Sequence, residues 1–229
     1  MLHHCIASKF PSWLSISSIS PNTILCNVCK RFLLRYECHQ DKNDLDDFAL
    51  ATQGARILVD LTAPTFEGNN KGILSLFKRQ QQFPSALTAI LPWEEPGECW
   101  PMAGNHGSLG VELRKPVSVK AVSIGYLDHP AVSNTSAPAD FDVWGLTQYE
   151  DHQSWKYPWD TFPSMTDRSI LYLGRFTYDT TKGHAVQTFE INVGSIPPIN
   201  AVVFRFLSNW GQNDYTCIYR VRVHGETVA

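Results

Sequence analysis

No stretch of this 229-residue chain is apolar for long enough to cross a bilayer as a helix. A clean secretory leader is also missing: MLHHCIASKFPSWLSISSIS is interrupted by Lys9, Pro11 and several serines. No heptad pattern and no internal repeat is visible. Lysine and arginine form no cluster, and the formal net charge of -3 argues against nucleic acid, which demands a cationic face. Catalytic signatures are lacking as well. Ser, His and Asp all occur, but no nucleophile elbow or metalloprotease motif frames them, and no glycine-rich phosphate loop is present. No catalytic residue is assigned, and no enzyme is expected.

What is present is β-forming. With 43% hydrophobic and 12% aromatic residues, the chain suffices for one sizeable domain plus an appendage. Residues 1–45 read as an arm, serine-rich early and charged late, disordered or with a short helix around 28–36. From residue 46 to the end the pattern is mainly of strands. Leu109, Val111 and Leu113 alternate with Gly110, Glu112 and Arg114. Residues 118–126 are apolar on both faces, and 141–146, 187–193 and 201–207 read as further strands. Turn clusters such as AGNHG, TTKGH and GSIPPIN divide them. Many short strands with little helical periodicity predict an all-β, jelly-roll-like sandwich. Residues 66–90 and 148–168 do not read as core strands. The first carries an apolar knot (Leu74, Leu76, Phe77) after GNNKG, and the second reads as a surface insertion bearing Trp155, Tyr157, Trp159 and Phe162.

The most informative stretch is LSNWGQNDYTCIYRVRVHGE, residues 207–226. Tyr215, Cys217 and Tyr219 lead into a strand that sets Tyr219, Val221 and Val223 on one face and Arg220, Arg222 and His224 on the other. Phenols on a rigid sheet can hold an anionic end group by hydrogen bonding. Read from the residues alone, the same tyrosines also serve as amphipathic core residues. Of the six cysteines, Cys5, Cys26, Cys29 and Cys38 lie in the arm, where CNVC hints at zinc but no second ligand pair completes it. Cys99 and Cys217 lie in the domain and by themselves read equally well as separate buried thiols.

The closing stretch resembles the end of the SUN domain, the lumenal peptide-binding domain of inner-nuclear-membrane proteins. Further segments resemble that family in the same order: DFALATQGARI, GILSLF, PGECW, SAPADFDVWGL, LGRFTYD and QTFEI, from residue 47 to the end. The resemblance implies a compact β-sandwich and a homotrimer. It implies a bridge from the nuclear envelope to the cytoskeleton, made by gripping the C-terminal tail of a KASH-type protein of the outer nuclear membrane. It also implies an upstream membrane helix and coiled coil, so the chain is expected to be an N-terminally incomplete piece.

By the same resemblance, Ser136, Tyr215 and Tyr219 match a pocket for the peptide's terminal carboxylate, and His129, in YLDHP, a position near the peptide's proline-rich end. Residues 66–90 match a projecting hairpin, the KASH lid, whose Leu74, Leu76 and Phe77 would pack under the peptide or against a neighbouring protomer. Cys99 and Cys217 match an intramolecular disulfide. The loop LPWEEPGECW matches one that wraps a structural monovalent cation through backbone carbonyls, with Trp93, Glu98 and Tyr219 at contributing positions; no other cofactor is expected. Thr62 stands where some relatives carry a cysteine that bonds to the peptide, which predicts a non-covalent complex here. Asn134-Thr135-Ser136 is a glycosylation sequon whose glycan would crowd the ligand. The rival function is a carbohydrate-binding jelly-roll module, with the insertion's aromatic residues facing sugar.

Overall fold

The computed structural model describes residues 45–68, 85–92, 96–127, 134–147, 169–182, 185–194 and 197–227, all of them in the compact unit Gln40–Ala229. Among these residues the only helices are short 3-10 turns, and nine strands carry the fold. They are β1 (Arg56–Leu58), β2 (Trp100–Ala103), β3 (Gly107–Gly125), β4 (Asp140–Leu146), β5 (Ile170–Thr177), β6 (Val186–Glu190), β7 (Ile199–Phe206), β8 (Tyr215–Ile218) and β9 (Arg220–Thr227). All pairings are antiparallel.

The long strand β3 organises the sandwich. Its first half pairs with β1 and β7, and β7 continues to β4 and then β5. Its second half pairs with β6 and β9. The change comes at Lys115-Pro116, both exposed, where the register to β7 shifts between Glu112 and Val117. Proline has no N–H to give a ladder, so the pairing to β7 is interrupted there. The two segments predicted separately, 109–114 and 118–126, are thus one bent strand, and the bend lets one sheet fold over itself.

Inside the fold Leu109, Val111, Phe141, Val143, Phe204 and Phe206 meet Val122, Ile124, Val221 and Val223 in one hydrophobic cluster. A smaller cluster of Leu58, Leu61, Trp144, Leu146, Ile170, Ala201 and Val203 covers the other face of the β7–β4 region. Gly110 permits that second cluster, because a Cβ there would come within 2.6 Å of the Leu61 Cβ.

The polar side of β9 is covered: Arg220, Arg222 and His224 are only 4–7% exposed. The chain just before the sheet covers it. Asp47 places one carboxylate oxygen 2.6 Å from Arg220 and accepts Val223 N–H with the other, and Phe48 N–H donates to Val223 O. The His224 Nδ1 lies 2.9 Å from Asp46 O, which can only accept. The Arg220–Asp47 ion pair and the hydrogen bond between His224 and Asp46 O offset part of the cost of covering this face.

Of the expected lid, residues 69–84 fall outside the described residues. Its C-terminal part is no hairpin: Ala86–Ile90 form a 3-10 turn with Ala89 and Ile90 fully buried. The insertion 148–168 and the arm through residue 44 also lie outside the described residues.

Candidate functional site

The register of β3 and β9 builds the site. Gly125 pairs with Arg220, so the next residue along each strand, Tyr126 and Tyr219, come to face one another. Their rings meet edge to face at 5.1 Å, a favoured aromatic geometry. Tyr126 Oη lies 3.0 Å from Ser136 Oγ, and the Tyr178 ring stands 6.2 Å from the Tyr126 ring. Tyr215, at the start of β8, stacks on Phe66 at 5.4 Å. Burial pushes the Tyr126 phenol up to about 12; the Ser136 hydrogen bond opposes this, and the neighbouring Tyr219 and Tyr215 phenols add to it. Tyr126 is therefore a neutral phenol at any physiological pH.

Ser136 and Tyr219 thus both contact Tyr126, which sequence reasoning did not single out, while Tyr215 packs on Phe66 and acts on Tyr126 only electrostatically. Only Tyr215 is half-buried; Ser136 and Tyr219 are 4% and 2% exposed. Tyr219 accepts the Gly97 N–H at 3.1 Å. Gly97 has φ 85°, a conformation that favours glycine, so the turn that delivers this N–H depends on it. Glu98, next in the turn, is exposed. Trp93, His129, Leu74, Leu76 and Phe77 lie outside the described residues.

Two devices hold the cluster. The disulfide Cys99–Cys217, with Cα atoms 5.5 Å apart, joins the turn to β8 two residues before Tyr219. Closing its 118-residue separation is worth about 4–5 kcal/mol in the chain-entropy model. The second device is Asn209. Its Nδ2 donates to Gln212 O, Tyr215 O and Thr216 Oγ1, and its Oδ1 accepts Gly211 N–H. The loop so formed clamps the Ser136 turn, because Trp210 N–H reaches Ala137 O and Gln212 N–H reaches Thr135 O. Asn209 was present in the quoted SNWG, but only the folded loop reveals it as the hub. Tyr126 had a similar signal, adjoining His129 in YLDHP at the end of a β-rich run.

Thr62 is engaged locally. Its hydroxyl donates to Leu58 O at 2.7 Å and accepts Gly110 N–H at 3.1 Å. Among the described residues no group of three or more His, Cys, Asp or Glu side chains is arranged to hold a metal ion.

Comparison with known proteins decides the family. The model for the Sad1 / UNC-like C-terminal family matches residues 78–227. The chain belongs to the SUN-domain family. It is 31% identical over 204 residues to SUN domain-containing protein 2 of Mus musculus, covering 87% of this chain and 25% of that protein. It is 33% identical over 196 residues to human SUN domain-containing protein 1, covering 82% of this chain and 22% of that one. Human SUN domain-containing protein 3 is 30% identical over 193 residues, covering 81% and 48% respectively. The chain thus spans 22% to 48% of the length of these relatives. Among solved structures it resembles allantoicase from Saccharomyces cerevisiae, with a TM-score of 0.53 at 12% identity over 82% of this chain and 50% of that one. A family 32 carbohydrate-binding module from Streptococcus pneumoniae EndoD gives 0.50 at 10% identity over 79% and 100%. At such identity these two likenesses show the fold alone, a jelly-roll-like β-sandwich.

In this SUN domain Cys99 is joined to Cys217, and Ser136 and Tyr219 each contact Tyr126.

Proposed function

We propose that this SUN domain lies in the perinuclear space, held to the inner nuclear membrane by the protein it is part of. There it captures the C-terminal tail of a KASH-type outer-nuclear-membrane protein and so links the nuclear envelope to the cytoskeleton. The supporting observation is the cluster of neutral hydroxyls around Tyr126. A carboxylate needs donors, and Ser136, Tyr126, Tyr215 and Tyr219 supply them without a buried cation having to be desolvated. A phenol that accepts from Gly97 still carries its own proton, and that proton is the one to turn toward a carboxylate. The tail reaches half-buried Tyr215 first and enters as the covered hydroxyls of Ser136 and Tyr219 exchange partners. Each hydrogen bond to the charged end is worth about 1.5–3 kcal/mol.

The rest of the grip is strand addition along the 66–90 segment, with Leu74, Leu76 and Phe77 beneath the peptide and His129 beside its proline-rich end. A homotrimer completes the groove and adds avidity. The turn holding Glu98 and the preceding Trp93, with Tyr219, shapes the pocket and takes a monovalent cation through backbone carbonyls; the exposed Glu98 carboxylate is compatible with a cation nearby. The role is binding, not catalysis.

The complex is non-covalent. Among the described residues both cysteines are bonded to each other, and position 62 offers only a hydroxyl. On a non-reducing gel the domain and a cysteine-containing tail peptide are expected to run apart; a stable adduct would contradict this.

The functional class is tested by presenting the purified domain with synthetic C-terminal tail peptides of KASH-type proteins and, separately, with a glycan array. Retention of the peptides with no glycan retained is the expected result. Glycan retention with indifference to the peptides would replace this reading by the carbohydrate-binding one.

A further inference from the structure

The sequon Asn134-Thr135-Ser136 occupies a 3-10 turn of its own. Asn134 and Thr135 are exposed, so an attached sugar has open solvent. The hydroxyl that completes the sequon has another fate. Ser136 is 4% exposed, its Oγ bonds Tyr126 Oη at 3.0 Å, and the turn is clamped through Gln212 N–H to Thr135 O. A transferase must hold the asparagine amide and the hydroxyl two residues on together, which demands an open stretch of chain. The folded turn offers the amide and hides the hydroxyl. No other Asn-X-Ser/Thr occurs in the chain. The Cys99–Cys217 disulfide independently marks an oxidising compartment, the setting in which such transfer takes place.

We propose that Asn134 is an N-glycosylation site that is modified only before the domain folds, Ser136 serving first as part of the acceptor and then as the partner of Tyr126. In the transfer, the Asn134 amide nitrogen bonds to C1 of an oligosaccharide and loses one proton. The C1–oxygen bond to a lipid pyrophosphate donor breaks, and the pyrophosphate leaves with the electron pair. Folding then closes the acceptor, so each molecule keeps the state it had when the turn formed. The glycan stands two residues from Ser136, on the rim of the hydroxyl cluster. The inference rests on the lumenal placement proposed above and not on tail capture.

The test directs the full chain into the lumen of microsomes during translation, with formation of the Cys99–Cys217 disulfide as proof of entry. Removal of N-glycans with a glycosidase is expected to lower the mass by one glycan in the unaltered chain and in Ser136→Thr. No change is expected in Asn134→Gln or Ser136→Ala. In a second arm, folded unglycosylated chain and the same chain reduced and unfolded are given the solubilised transferase and its lipid-linked donor. Modification of the unfolded form alone is expected. An unmodified chain that has entered the lumen and formed its disulfide would overturn the site. A mass change that persists in Asn134→Gln would do the same, and modification of the folded form at the unfolded rate would overturn the timing.

Discussion

At the scale of single residues, Tyr126 is the group on which the site turns. It bonds Ser136 and meets Tyr219 edge-on, and the neighbouring Tyr219 and Tyr215 phenols add to the burial that disfavours its ionisation. Its raised pKa has a consequence for stability. The unfolded phenol ionises near 10 and the folded one near 12, so the folded state holds this proton more tightly. The contribution is complete below pH 10 and is lost as pH rises through 12. Denaturant midpoints measured from pH 9 to 12 should fall for the unaltered domain, and Tyr126→Phe should flatten part of that fall. An equal fall in both would show that Tyr126 does not titrate as described. Sequence reasoning named Tyr219 and Ser136 but passed over Tyr126, because a tyrosine at the end of an apolar run looks like any other core aromatic. Only the Gly125–Arg220 register sets it against Tyr219.

At the scale of elements, the closing strand depends on the segment that precedes the sheet. Asp47 and Arg220 are both nearly fully buried, and Arg220 also donates to Leu91 O, beside the 3-10 turn of residues 86–90. Removing one partner strands the other charge, which typically costs about 3–5 kcal/mol. Asp47→Asn should therefore lower the urea midpoint markedly. The double variant Asp47→Leu/Arg220→Met should be less destabilised than the sum of its single changes, since neither charge remains. Strict additivity would mean that the pair is not coupled. Replacing Cys99 and Cys217 together by serine should cost about 2–5 kcal/mol, read as the difference between oxidised and variant midpoints. The alternation of β9 was legible in the sequence, but its environment was not. Arg220, Arg222 and His224 carry the polarity of a solvent face, and what covers them is a segment more than 170 residues earlier in the chain. No local pattern encodes that contact. The continuity of β3 through Lys115-Pro116 was not legible either: residues 109–114 and 118–126 read as two separate strands.

At the scale of the whole molecule, the β-sandwich was readable because alternating strands and turn clusters agree along the chain. Strand β4 was recognised almost to the residue, as a short, mostly apolar run that follows a turn cluster. Strands β1, β2 and β5 were not assigned: the first two are only three and four residues long, and β5 is interrupted by Gly174 at φ 144° and by a register shift. The joining of Cys99 to Cys217 came from family resemblance, because two cysteines so far apart carry no spacing rule of their own. The clustering of hydroxyls at one end of the sandwich ties fold to proposed function, and the functional claim reduces to recognition of a free carboxylate. Isothermal titration of the domain with one KASH-tail peptide, as the free acid and as the C-terminal amide, tests this most directly. The account predicts that amidation weakens binding by at least about tenfold, the equivalent of one charge-assisted hydrogen bond. Equal affinity for acid and amide would contradict it.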